Sequence, residues 1–176
     1  MDAVGVPSRM PRNVDIFNNE HARFILRKVL EVTQAGMKVG LLGLAYKPGT
    51  NVIERSFAID LASWLANEQR QVVAWDPLAM EEARRAVSDG RVSFVPSLKG
   101  CIESADLSVI LLPLPEVTSL DWKCAAGKTI VDCWRCLPDA GRQLVGRYIP
   151  LGIGVDENLR AWLQTNLGKR LSLLTT

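Results

Sequence analysis

The sequence predicts an α/β fold: an open, mostly parallel sheet flanked by helices, with one helix appended at the N-terminus. Three observations carry this. Short apolar runs bounded by turn residues, such as residues 39–44 (VGLLGL), 71–75 (QVVAW) and 107–112 (LSVILL), have the look of strands buried on both faces. Amphipathic segments of helical period alternate with them, as right-handed crossovers between parallel strands require. The first apolar run also leads through a polar, glycine-containing loop into a capped helix, the arrangement in which a sheet of this kind receives phosphate or nucleotide.

Residues 1–13 hold two prolines and read as an irregular lead-in. From Asp15 to about residue 35, Phe17, Phe24, Ile25, Val29, Leu30 and Val32 recur at near-helical spacing, and Gly36 ends the pattern. The stretch 38–58 then organises the chain. Its strand contains Gly40 and Gly43, and Gly43 lets the backbone turn sharply or a ligand come close. Tyr46, Lys47, Pro48, Gly49, Thr50 and Asn51 form the loop, and Ser56 caps a helix carrying Phe57, Ile59, Leu61, Ala62 and Leu65. Further on, a strand at 71–75 ends at Asp76 and Pro77, a helix follows over 78–87, a strand over 92–95 and a short helix over 97–105. The strand at 107–112 is followed by a loop through Pro113 and Pro115 to Ser119, a strand at 128–132, a helix over 137–145 and a strand over 148–153. Beyond Asp156, Leu159, Trp162, Leu163 and Leu167 again keep helical spacing. Together these elements give a Rossmann-like domain.

The 176 residues suit one domain with a real core, and 48% hydrophobic with 23% charged residues excludes a disordered or fibrous class. A net charge of +2 without a basic stripe gives no reason to expect nucleic acid. No apolar run reaches the roughly 18 residues of a membrane span, and the N-terminus lacks the pattern of a secretion signal, so a cytoplasmic protein without a membrane partner is expected. A single histidine, His21, leaves little room for multi-histidine metal sites or a Ser-His-Asp triad.

Lys47 suits a diphosphate or a sugar hydroxyl at a strand's carboxyl end, or is simply a solvated loop lysine. Tyr46 either lies against a base or ribose or is an ordinary aromatic after a strand. Thr50 either donates to a phosphate or stabilises its turn. Arg135 pairs with phosphate or remains a surface arginine. Asp76 occupies the place of a ribose-binding acid, but Asp before Pro reads chiefly as a turn and cap device. Cys133-x-x-Cys136 lacks the second ligand pair of a zinc site and follows a strand rather than opening a helix, so incidental thiols are expected.

The run Gly43-Leu-Ala-Tyr-Lys-Pro-Gly-Thr50, with Ser56-x-Ala58, resembles the C-terminal domain of the UDP-glucose/GDP-mannose dehydrogenase family. Trp75-Asp-Pro77, Ser104-Ala-Asp106, Leu120-Asp-Trp122, Ile130-Val-Asp132 with Arg135, and Leu151-Gly-Ile-Gly154 continue the similarity in order over roughly residues 37–155. The resemblance implies a domain that binds the nucleotide-sugar, a UDP-sugar sooner than a GDP-sugar, through Tyr46, Lys47, Thr50 and Arg135. It implies NAD as cofactor of the complete enzyme, which oxidises a sugar CH2OH to a carboxylate. With no Gly-x-Gly-x-x-Gly and no counterpart of the catalytic-cysteine motif, this chain is expected to bind no NAD alone and to need an N-terminal catalytic half or a partner chain. The helix from Asp15 is similar to the end of the family's inter-domain helix, which implies a homodimer. The expected division is therefore lead-in and dimerisation helix at 1–36, UDP-sugar-binding domain at 37–155 and helical tail at 156–176. Three departures stand out: Val52 replaces an acid, Glu54-Arg55 reverses the family's Arg-Glu, and Asp132-Cys-Trp-Arg135 is one residue longer than its Asp-x-Arg. The alternative they motivate is a degenerate dimerisation module of the same fold.

Overall fold

The computed structural model describes residues 9–152. Six strands form one sheet in the order β3-β2-β1-β4-β5-β6, with every pairing parallel. The strands are β1 (Lys38–Leu42), β2 (Gln71–Trp75), β3 (Val92–Phe94), β4 (Leu107–Ile110), β5 (Thr129–Asp132) and β6 (Arg147–Pro150). The helices are α1 (Arg9–Leu30), α2 (Phe57–Asn67), α3 (Met80–Ala86), α4 (Leu98–Ser104), α5 (Pro115–Ser119) and α6 (Asp139–Leu144). The chain leaves β1 toward β2 in one direction and returns to β4 in the other. The switch point of this doubly wound sheet therefore falls between β1 and β4, where such sheets open a crevice at their carboxyl ends.

The central strands are apolar because both faces are covered. Val39, Leu41, Leu42, Val109, Ile110, Ile130 and Val131 are fully buried, as are Leu61 and Leu65 of α2 and Cys101 and Ile102 of α4. Ser56 and Ser97 cap α2 and α4, accepting from the N–H groups of Ala58 and Gly100. Helix α1 lies against α2 through Ile25 and Val29, which are buried.

Several sequence expectations shift. Helix α1 already runs at Arg9, the first described residue, and so includes the stretch before Asp15 that was expected to be irregular. It ends at Leu30, and the Thr33 hydroxyl bonds back to the Val29 carbonyl. Strand β4 stops at Ile110, since Leu111 and Leu112 leave the ladder. The expected loop to Ser119 contains α5, with Pro115 at its first position, followed by a 3-10 turn over Trp122–Ala125. Strand β6 runs Arg147–Pro150, one residue earlier than expected at its start. The tail helix expected beyond Asp156 lies outside the described residues.

One core position is imperfect. Ser108 is buried at 1% exposure and its hydroxyl has no hydrogen-bond partner among the described residues. It faces Gly40, whose added Cβ would come within 2.8 Å of that oxygen. Ser108→Ala removes an unsatisfied polar group without opening a large cavity. It is expected to stabilise the domain by about 1 kcal/mol, read as a rise of about 2–4 °C in Tm; an unchanged or lowered Tm would refute this.

Candidate functional site

The carboxyl ends of β1, β4 and β5 open into a cleft of about 730 Å³. Ala45 and Tyr46 line it from β1, Leu111 and Leu112 from β4, and Cys133, Trp134 and Arg135 from β5. Arg55, Ser56, Phe57 and Ala58 bring in the start of α2, and Asn18, His21, Ala22 and Ile25 of α1 complete the wall. The N-terminus of α2, with its unsatisfied N–H groups and positive dipole end, therefore faces this space.

Two buried aspartates shape the rim. Asp76, at the end of β2, accepts from the Leu44 and Ala45 N–H groups at 2.7 and 3.1 Å, and from Leu78 and Ala79, both at 2.8 Å. Its acceptor capacity is consumed by the backbone, so it works as the turn and cap device expected, not as a ribose ligand. Asp132, at the end of β5, accepts from the N–H groups of Trp134, Arg135 and Leu137 at 3.0, 2.7 and 2.9 Å, and from the Tyr148 hydroxyl at 3.0 Å. These bonds wrap the chain tightly and hold Arg135 in the left-handed region, at φ 57°.

Arg55 adopts the same conformation, at φ 58°. Non-glycine residues there are uncommon and strained, and they cluster at functional sites. Both side chains are exposed, and among the described residues none of the ion pairs uses them and no carboxylate lines the cleft. Among the described residues the cleft thus carries two arginines and no acidic side chain, an arrangement suited to a phosphorylated ligand.

Of the residues expected from sequence, Tyr46 and Arg135 line the cleft. Lys47 and Thr50 do not. Lys47 is exposed on the loop, and Thr50 accepts from the Val52 N–H at 3.2 Å, stabilising its own turn. That loop is closed by the Tyr46 N–H on the Val52 carbonyl at 2.7 Å and tied to α3 by Asn51 donating to Glu82 at 2.6 Å. Gly43 has φ 97°, and its added Cβ would lie 2.7 Å from Leu112 Cβ, so its missing side chain admits Leu112. Arg55 was visible only as half of the reversed Glu54-Arg55 pair; that order sets the arginine beside the α2 cap. Trp134 had no signal beyond the extra residue between Asp132 and Arg135. His21 is exposed, its ring stacked between Phe17 and Phe24 at 6.3 and 6.4 Å.

The Cys133-x-x-Cys136 thiols do not form a reactive pair. Burial, and then the charge of Asp132, pushes Cys133 up to about 12 and Cys136 up to about 11. A redox cysteine needs the opposite shift. Among the described residues no cluster of three or more His, Cys, Asp or Glu side chains is arranged to hold a metal ion.

A doubly wound parallel sheet with a cation-lined cleft at its switch point defines a Rossmann-like domain. The family model for the UDP-glucose/GDP-mannose dehydrogenase family, UDP binding domain, matches residues 40–139, and the chain belongs to that family. The UDP-glucose 6-dehydrogenase TuaD of Bacillus subtilis is 30% identical over 121 residues, covering 68% of this chain and 26% of the relative. The UDP-glucose 6-dehydrogenase AglM of Haloferax volcanii is 31% identical over 117 residues, covering 65% of this chain and 26% of its own length. A UDP-glucose dehydrogenase structure from the archaeon Pyrobaculum islandicum superimposes with a TM-score of 0.69 at 26% identity, over 84% of this chain and 33% of that one. The chain thus spans about a quarter to a third of the length of these relatives. No described helix is long and apolar enough to cross a membrane.

Proposed function

We propose that the cleft seats the diphosphate of a nucleotide-sugar, with uridine as the nucleoside, and that residues 37–155 form the substrate-nucleotide unit of an NAD-dependent nucleotide-sugar dehydrogenase. The observation that carries this is that Arg55 and Arg135 both line a cleft in which, among the described residues, there is no carboxylate. Arg135 and the α2 N-terminus bind the phosphate oxygens, Arg55 adds a second charge, and Tyr46, 60% exposed, covers the ligand from the β1 side. Lys47 and Thr50 belong to the loop flanking this seat, where Lys47 can reach a ligand that extends past Tyr46. The kinship with UDP-glucose 6-dehydrogenases supports the uridine nucleotide over a guanosine one.

This domain's residues do not fit NAD. The turn after β1 has no Gly-x-Gly-x-x-Gly, and Asp76, the acid where a ribose would be held, is saturated by four N–H groups. The dinucleotide and the oxidative chemistry therefore belong to a catalytic half outside this sequence, on the same polypeptide or on a partner. Residues 1–36, through α1, serve assembly.

UDP at one hundred times its Kd is expected to stabilise the chain by about 2.7 kcal/mol, read as a raised Tm. A second reading, the dimerisation module, is favoured by the exposed Val14, Ile16 and Phe17 of α1, at 51%, 55% and 66%. It predicts a dimer in sedimentation and no shift with millimolar UDP, UDP-glucose, GDP or ADP. That outcome would overturn the nucleotide reading.

A further inference from the structure

We propose that Trp134 is the stacking platform for the ligand's nucleobase, a specificity-determining residue of the same cleft; this rests on the nucleotide reading above. Trp134 is 54% exposed on the cleft wall, yet it is held at two points. Its indole N–H donates to the Leu111 carbonyl at 2.7 Å, and its backbone N–H donates to Asp132 at 3.0 Å. The next residue is fixed as well: the Arg135 N–H donates to Asp132, and its carbonyl accepts from Arg142 at 3.4 Å.

A tryptophan so exposed normally gains little from being ordered. Here the ordering produces a rigid aromatic plane, set before any ligand arrives, which lowers the entropic cost of binding. With its single donor committed to Leu111, the indole offers only its π face. A sugar hydroxyl finds no hydrogen bond there, whereas a planar heterocycle gains full stacking contact. Arg135 follows immediately in the chain, so the aromatic plane and a phosphate-binding guanidinium are presented by one turn, as the base and phosphates of one nucleotide require. The residue that lengthens Asp132-Cys-Trp-Arg135 beyond Asp-x-Arg supplies the chain length for this turn.

The test is calorimetric titration of the full chain and its Trp134→Ala, Trp134→Phe and Arg135→Ala variants with UDP, UMP and inorganic pyrophosphate. Trp134→Ala is expected to weaken UDP and UMP by roughly 5- to 100-fold and to leave pyrophosphate unaffected. Trp134→Phe should keep most of the affinity, and Arg135→Ala should weaken pyrophosphate. Undiminished UDP and UMP binding by Trp134→Ala would overturn the platform while leaving the nucleotide reading standing. So would an equal loss for pyrophosphate, which would mean that the tryptophan acts only by shaping the turn. Failure of all three ligands to bind the wild-type chain would overturn both.

Discussion

Replacing Asp132 with alanine is expected to destabilise the domain by about 3–5 kcal/mol and to lower Tm by on the order of 10 °C. Asp132 is wholly buried, and its two carboxyl oxygens accept from three backbone N–H groups and one phenol at 2.7–3.0 Å. Truncation leaves those donors without partners and beyond the reach of water. Each orphaned donor costs about 1–3 kcal/mol, offset where the turn can relax outward. The same relaxation would release Arg135 from its left-handed conformation and Trp134 from its tether, so the stabilisation by UDP should shrink together with Tm. Asp132→Asn should fall between: its oxygen can replace Oδ1 toward Trp134 and Arg135, but its amide would face the Leu137 N–H donor to donor. Asp139→Ala provides the contrast, because its carboxylate is 88% exposed and pairs with Arg142 in a surface contact worth well under 1 kcal/mol. Urea denaturation of the three variants reads the ranking. An Asp132→Ala variant within 1 kcal/mol of wild type would show that the turn does not depend on its carboxylate.

The architecture was legible because it follows from local pattern. Buried parallel strands announce themselves as unbroken apolar runs, and β2, with Val72 to Trp75 all buried, matched its expected limits. The cap at Ser56 was legible for the same reason: capping is decided within three residues, whereas Ser97, read as the first residue of its helix, turned out to cap it. The cleft was only half legible. Tyr46 and Arg135 were legible as polar residues shortly after β1 and β5, at the strand ends where such a sheet takes its ligand, and both line the cleft. Lys47 and Thr50 lie one or more residues further into a loop whose path is set by Asn51 bonding Glu82, 31 positions away, a contact that no local pattern encodes. Arg55 and Trp134 depend on left-handed or tightly wrapped backbone, which a sequence reveals at glycine but not at arginine. Gly43 shows the converse. Its conformational freedom was foreseeable, but that Leu112 would fill the vacated space was a tertiary fact.

Raising the pH through the thiol range is expected to destabilise the domain steeply. Burial pushes Cys101, which has no exposed surface, from its ordinary 9.0 up to about 12; Cys133 rises to about 12 and Cys136 to about 11 for the same first reason, and Tyr148 from 10.0 to about 12. A group whose folded pKa is raised keeps its proton in the native state where the unfolded chain has released it. The stability this contributes is complete below the unfolded value and is lost as pH climbs toward the folded one. For Cys101 the window opens at about pH 9 and the loss approaches about 1.4 kcal/mol per pH unit above it, close to 2 kcal/mol by about pH 10.5. The two thiols beside Asp132 steepen the slope, and Tyr148 joins above about pH 10. Against a total stability of about 5–15 kcal/mol, the loss from Cys101 alone is a substantial fraction. Urea midpoints from about pH 7 to 10.5 should therefore be flat at first and fall steeply beyond about 9. Cys101→Ala should start lower, having lost its packing, and fall less steeply, by about one group's share of the slope. Stability that stays level to pH 10.5, or a Cys101→Ala slope equal to that of wild type, would mean that these thiols reach water in the native state, and would reopen a redox role for the Cys133-x-x-Cys136 pair.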